Sequence, residues 1–123
     1  MKIMVVEDNE MNLDMLARRL VRAGFEVVSS SSAVDIVHRL EQEQPALVLM
    51  DLGLPGVDGF AATQAIRQVP AFATLPVIAL TAHAMAEDRE RAFAVGCDAF
   101  ETKPIDFAKL LSTINAFLDK GGP

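Results

Sequence analysis

The chain has 123 residues, 51% of them hydrophobic, and a formal net charge of −6. That apolar content excludes a disordered chain and suits one domain with a proper core. The acidic balance disfavours direct nucleic-acid binding, because phosphate repels an acidic surface. No apolar run approaches the roughly 20 residues of a membrane span, and the Met1 end runs straight into strand-like sequence with no signal peptide. The single Cys97 cannot form an internal disulfide, in keeping with a reducing compartment. A soluble cytoplasmic protein is expected, with an aliphatic core, since there are seven Phe but no Trp or Tyr.

Lys2-Ile3-Met4-Val5-Val6 reads as a first buried strand ending at Glu7-Asp8-Asn9-Glu10. Asn9 or Asp8 caps a helix whose inner face is Leu13, Leu16, Ala17 and Leu20, stopped by Gly24. Phe25 to Val28 is strand two. Ser31 or Ser32, with Asp35 in a capping-box position, starts a second helix facing inward through Ala33, Ile36, Val37 and Leu40. After Pro45 comes strand three, Ala46 to Met50. Asp58 caps helix three, about Gly59 to Gln68, with Ala62, Ala65, Ile66 and Val69 inward and Pro70 at its end. Leu75 to Leu80 is strand four, ending at Thr81. Helix four runs from about Met85 to Val95 and stops at Gly96; Asp98 to Glu101 is strand five. Asp106 caps the last helix, whose inner face is Phe107, Leu110, Leu111, Ile114, Phe117 and Leu118. Met11, Met15 and Met50 read as core filler and Cys97 as structural, while Met85 is expected to be exposed near helix four.

Five strands alternating with five helices predict an α/β, doubly wound parallel sheet of the flavodoxin-like (βα)5 type, order 2-1-3-4-5. The domain spans residues 1–120, with 121–123 a frayed tail. The switch point lies between strands one and three, which gathers Glu7, Asp8 and Asp51 at one crevice. At 5 Å and an effective dielectric near 20, each charged pair there costs roughly 3 kcal/mol. Such a cluster either shares protons or holds a cation, and hard oxygen ligands with open positions suit Mg²⁺. The bland alternative is two helix caps, Asp8 and Asp58, and one capped strand end. Thr81 and Lys103 weigh against it, because both follow strands and reach the same edge, where a hydroxyl and an ammonium can bind phosphate oxygens.

Taken together, Val6-Glu7-Asp8-Asn9, Met50-Asp51 with Pro55 and Gly59, Thr81-Ala82 and Lys103-Pro104 resemble the receiver domain of two-component response regulators. Val-Glu-Asp-Asn-Glu-Met-Asn and Thr-Ala-His-Ala-Met resemble single-domain regulators of the DivK type and receivers of hybrid histidine kinases. The resemblance implies that Asp51 is the phosphoacceptor, taking a phosphoryl group from a sensor histidine kinase or phosphotransfer protein. It implies that Glu7, Asp8, Asp51 and the main-chain carbonyl of Gly53 hold Mg²⁺, with Mn²⁺ as a substitute. Thr81 and Lys103 would take phosphoryl oxygens, Lys103 would pair with Asp51 at rest, and the Lys103-Pro104 bond would be cis. Gly53 and His83 would tune the approach of hydrolytic water, His83 being otherwise a cap of helix four. Thr81 and Phe100 would form a switch that alters the helix 4–strand 5–helix 5 face, against the plainer reading of Phe100 as a permanently buried strand residue.

A phosphoacceptor of this kind assists its own phosphorylation and slow dephosphorylation but is not an enzyme in the ordinary sense. An aspartyl-phosphate phosphohydrolase of the haloacid dehalogenase type would need a second Asp where Gly53 stands. A flavodoxin would need a phosphate cradle where Glu7-Asp8-Asn9-Glu10 would repel one. A receiver kept only for docking remains the other alternative. Met1 just before strand one and the short tail point to a stand-alone regulator, a monomer or weak homodimer, whose output is a target protein on the switch face, without direct nucleic-acid or membrane contact.

Overall fold

A strand buried at every position needs a layer on each face. In the computed structural model, which describes residues 1–53, 59–82 and 85–120, β3 (Leu47–Asp51) and β4 (Val77–Thr81) are such strands. β1 (Lys2–Val6) is buried beyond Lys2, whereas β2 (Glu26–Ser30) and β5 (Ala99–Thr102) are partly covered edges. All neighbours pair in parallel, in the order β2-β1-β3-β4-β5. The connections are α1 (Glu10–Arg22), α2 (Ile36–Glu43), α3 (Gly59–Arg67) followed by a single 3-10 turn over Pro70–Phe72, and α4 (Ala86–Val95); α5 (Phe107–Lys120) follows the last strand. This is the flavodoxin-like architecture that the alternation predicts.

Alternate strand residues feed two separate cores. Met4, Val6, Val48, Met50, Val77 and Ala79 pack with Ile36, Leu40, Ile66 and Ala92 of α2, α3 and α4. Ile3, Val5, Leu47, Leu49, Ile78 and Leu80 pack with Leu16, Leu20, Leu110 and Ile114 of α1 and α5. Each large aliphatic side chain so buried stabilises the fold by roughly 1.5–3 kcal/mol.

Several local expectations change. Asn9 rather than Asp8 caps α1, its Oδ1 accepting the Asn12 amide at 3.0 Å. β2 starts after Phe25, whose amide bonds back to the Leu20 carbonyl and so closes α1. The capping box at Ser31 or Ser32 does not form. Ser32 Oγ instead accepts the Val34 amide at 3.0 Å, and Ser30 Oγ donates to the Ser32 carbonyl. The serines satisfy a turn, which competes with helix. α2 therefore begins only at Ile36, behind Asp35 at φ 60°.

On α3, Ala65 is exposed and Thr63 is buried in its stead. The Thr63 hydroxyl donates to the Gly59 carbonyl at 2.8 Å, which removes the penalty of burying it. Met50 is core, but Met11 and Met15 are 81% and 51% exposed. They lie one turn apart beside the Leu13-Leu16-Leu20 stripe that faces the sheet, not on it. Cys97 is buried as expected, its thiol donating to Thr63 Oγ1 at 3.8 Å, and burial pushes its pKa up. Asp106 does cap α5, accepting the Lys109 amide at 3.2 Å. The Asp58 cap lies outside the described residues.

On the β4–β5 side, the amino edge of the sheet is tied by a side chain that the periodicity does not single out. Arg67 donates to the carbonyls of Gly96, Phe72 and Leu75 at 2.9, 2.8 and 2.6 Å and to Asp98 Oδ2 at 2.8 Å. Asp98 Oδ2 also accepts the Val77 amide at 2.8 Å. The two turns leading into β4 and β5 are thereby tied to the end of α3. Gly96, at φ 112°, is needed twice over: for its left-handed backbone and because a Cβ there would lie 2.6 Å from Arg67 Cγ.

Candidate functional site

The register Val6↔Met50 makes Glu7, just past the end of β1, the lateral neighbour of Asp51, the last residue of β3. Leu80 is opposite Asp51, so Thr81 follows at the same level. The Lys103 amide donates to the Thr81 carbonyl at 2.7 Å, which brings the start of the β5–α5 loop to that edge. Parallel pairing thus delivers four strand ends to one crevice.

Glu7, Asp51 and Thr81 are buried and Asp8 is exposed. One carboxylate oxygen from each of Glu7, Asp8 and Asp51 lies within 4.8 Å of the others. Lys103 Nζ sits between two of them, 2.8 Å from Glu7 Oε2 and 3.3 Å from Asp51 Oδ2. The Gly53 amide donates to Asp51 Oδ1 at 2.9 Å and the Asn9 amide to Glu7 Oε1 at 3.2 Å. The Lys103-Pro104 bond is cis. Lys103, Glu7 and Leu80 also line a cavity of about 210 Å³ between α1 and the β5–α5 loop, walled by Met15, Leu16, Ile105 and Phe107.

Burial is the main reason that the Glu7 carboxyl titrates above its ordinary value. The Asp51 charge adds to this, and the bonds from Lys103 and the Asn9 amide only partly offset it. Burial also works against the Lys103 ammonium, but its bond to Glu7 and the charges of Asp51 and Glu7 outweigh that and raise its pKa. Three carboxylates against one ammonium leave a surplus of two negative charges. With an all-oxygen donor set and one exposed member, that surplus fits a hard divalent cation that keeps part of its water shell.

A consequence for stability follows from Glu7. A carboxyl whose folded pKa is raised binds its proton more tightly in the folded state. Its contribution is complete below the ordinary value near 4.5 and is lost as pH rises through the folded value. Metal-free protein is expected to weaken as pH climbs from 4.5 through that range, and Glu7→Gln is expected to flatten the slope. Urea midpoints of both proteins across that range check this; parallel slopes would contradict it.

Beyond the acids, Gly59 packs directly on the end of β3. A Cβ there would lie 2.6 Å from the Asp51 carbonyl oxygen and 2.6 Å from Leu52 Cα. Phe100 is half-buried against the core under α2, α3 and α4. His83, Pro55, Gly56 and Asp58 lie outside the described residues. The short Lys103–Glu7 contact and the close packing of Gly59 went unread in the sequence. A glycine at the start of α3, eight residues after the strand-end acid, was the one signal for the second.

A 2-1-3-4-5 sheet with an acid cluster and a lysine at its carboxyl edge defines a class of α/β signalling domain. The chain belongs to the response regulator receiver domain family, whose profile matches residues 3–115. It is similar to the polar-differentiation response regulator DivK of Brucella ovis, 34% identical over 116 residues that make up 94% of each chain. Among solved structures it is similar to the receiver domain of a Pseudomonas aeruginosa sensor histidine kinase with a magnesium ion coordinated in the active site cleft. That match has 31% identity and a TM-score of 0.88, over 96% of this chain and 97% of the other. The receiver domain of a Syntrophus aciditrophicus signal transduction histidine kinase aligns at 28% identity with a TM-score of 0.89, over 97% of this chain and 90% of that one. Receivers are the phosphoacceptors of two-component systems; they bind Mg²⁺ at an acidic site and work with histidine kinases or phosphotransfer proteins. No helix among the described residues is long and apolar enough to cross a membrane.

Proposed function

We propose that this receiver takes a phosphoryl group on Asp51 from the phosphohistidine of a kinase or phosphotransfer protein and passes the change to a target protein. The observation that carries this reading is the position of Lys103, bonded at once to Asp51 and Glu7. A resident ammonium on the attacking carboxylate is what transfer through a loose transition state needs, since positioning and charge neutralisation supply most of the catalysis.

Asp51 attacks phosphorus with one carboxylate oxygen, forming the acyl phosphate as the bond to the histidine nitrogen breaks. Gly53 orients the carboxylate by its amide on Oδ1, leaving Oδ2 on the Lys103 side. As the Asp51 charge passes into the phosphoryl group, Lys103 follows it to a phosphoryl oxygen, loosening from Glu7. Thr81, at the same level on β4, offers its hydroxyl to another. Glu7, Asp8, Asp51 and the Gly53 carbonyl would hold Mg²⁺, or Mn²⁺ in its place; the ion, when bound, supplies positive charge for the oxygens that gather negative charge in transfer. Gly53 presents no side chain to water at Asp51, and His83 is the second position assigned to tuning hydrolysis. Thr81 and Phe100 carry the change to the face formed by α4, β5 and α5, where a target binds; residues 1–120 form this unit.

Intact-mass analysis after incubation with acetyl phosphate tests the proposal. One phosphoryl addition that needs Mg²⁺ and is absent from Asp51→Asn is expected. Absence of addition under all conditions, with metal binding intact, would leave a receiver that only docks.

A further inference from the structure

α4 is the most thinly anchored helix. Each of the others sinks at least two large side chains: Leu16 and Leu20 in α1, Ile36 and Leu40 in α2, Phe60 and Ile66 in α3, Leu110 and Ile114 in α5. Within α4 only Ala92 is buried. Val95 is partly covered, and Phe93 is 42% exposed. An element with so little buried area has the least free energy to lose on moving.

Beside the Arg67 bond to the Gly96 carbonyl at its end, α4 makes a contact from its exposed side. The guanidinium carbon of Arg91 stands 4.1 Å from the centroid of the Phe60 ring, against 5.7 and 5.8 Å for Arg19 over Phe107 and Arg89 over Phe93. Phe60 is buried and follows Gly59 directly. Gly59 lies so close to the Asp51 carbonyl and to Leu52 that the start of α3 cannot shift independently of the end of β3. Arg91, Phe60, Gly59 and Asp51 therefore form one packed series from the surface of α4 to the acid cluster. A packed series transmits a displacement because closely packed interiors do not deform freely.

We propose that Arg91 is a positioning residue that ties α4 to the phosphoacceptor end of β3: its clamp on Phe60 holds α4 in the resting placement, and a change at Asp51 reaches α4 through it. The second half of this inference rests on Asp51 being the phosphoacceptor. The first half stands on packing alone.

Hydrogen–deuterium exchange of α4 in wild type, Arg91→Gln and Arg91→Lys decides it, before and after acetyl phosphate with Mg²⁺, with phosphoryl occupancy read by intact mass in the same samples. Before phosphorylation, Arg91→Gln should exchange its α4 amides roughly two- to fivefold faster than wild type, the scale of losing one exposed cation–π contact. α1 and α5 should be unchanged, and Arg91→Lys should recover most of the protection because it keeps a cation over the ring. After phosphorylation, the change in α4 protection seen in wild type should shrink in Arg91→Gln at equal occupancy. Phe60→Leu, which removes the π face and keeps most of the apolar bulk, should loosen α4 in the same way and serves if Arg91→Gln does not fold. Wild-type exchange in α4 of Arg91→Gln, or a phosphorylation response of undiminished size, would overturn the proposal. Failure of wild type to accept a phosphoryl group would overturn the phosphoacceptor reading and the coupling that rests on it, and the unphosphorylated comparison would still decide the clamp.

Discussion

Gly59→Ala is expected to destabilise the protein by about 3 kcal/mol and to impair the acid cluster at the same time. The added methyl group would meet the Asp51 carbonyl oxygen and Leu52 Cα, both at 2.6 Å. Those are backbone atoms at the buried end of β3, so no side-chain rotation relieves the clash. Either α3 retreats, opening space beside Phe60 and Ile66, or the end of β3 moves. The second course displaces Asp51 from Lys103 and from the Gly53 amide, whose bonds to it are 3.3 and 2.9 Å long. Urea unfolding should therefore show a lower midpoint, and acetyl phosphate labelling of the remaining folded protein should fall. Near wild-type stability would mean that α3 yields freely, contrary to the packing described above.

Arg67→Ala should match that loss of stability without touching the chemistry. Removing the guanidinium takes a donor from three carbonyls, of which that of Phe72 keeps the Leu75 amide, and leaves Asp98 with the Val77 amide but without its cation. With the Arg67 side chain 17% and that of Asp98 36% exposed, solvent offsets part of the cost, and about 2–4 kcal/mol is expected. Arg67→Lys should recover little, since a single ammonium cannot replace a fork that serves four acceptors. Because Arg67 ties the amino edge of the sheet and Asp51 lies at the carboxyl edge, the labelling of folded protein should stay within about twofold of wild type, as expected of distant sites. A labelling loss as deep as that of Gly59→Ala would show that the two edges are not independent.

The strands and helices were legible because their signals are local. Five short apolar runs and the helical stripes of α1 and α5 name their own partners through periodicity alone, and the alternating order then leaves one economical topology. The site was legible for a related reason: Glu7, Asp51, Thr81 and Lys103 each stand at or just past a strand end, and parallel strands put all such ends on one edge. Where signals compete locally, the reading failed. Ser32 has helix-capping chemistry and uses it on a turn instead. Met11 and Met15 have core chemistry and sit beside the buried stripe rather than on it.

What the sequence determined by itself, then, is the architecture and the set of residues brought to the carboxyl edge, because both follow from spacing along the chain. Only the tertiary structure decided which of those residues touch. Lys103 prefers Glu7, 96 positions away, over Asp51. Arg67 gathers the turns before β4 and β5, and Arg91 finds Phe60 across the α3–α4 contact. Such choices turn on differences of half an ångström among side chains far apart in the chain, and no local pattern encodes a distance of that kind.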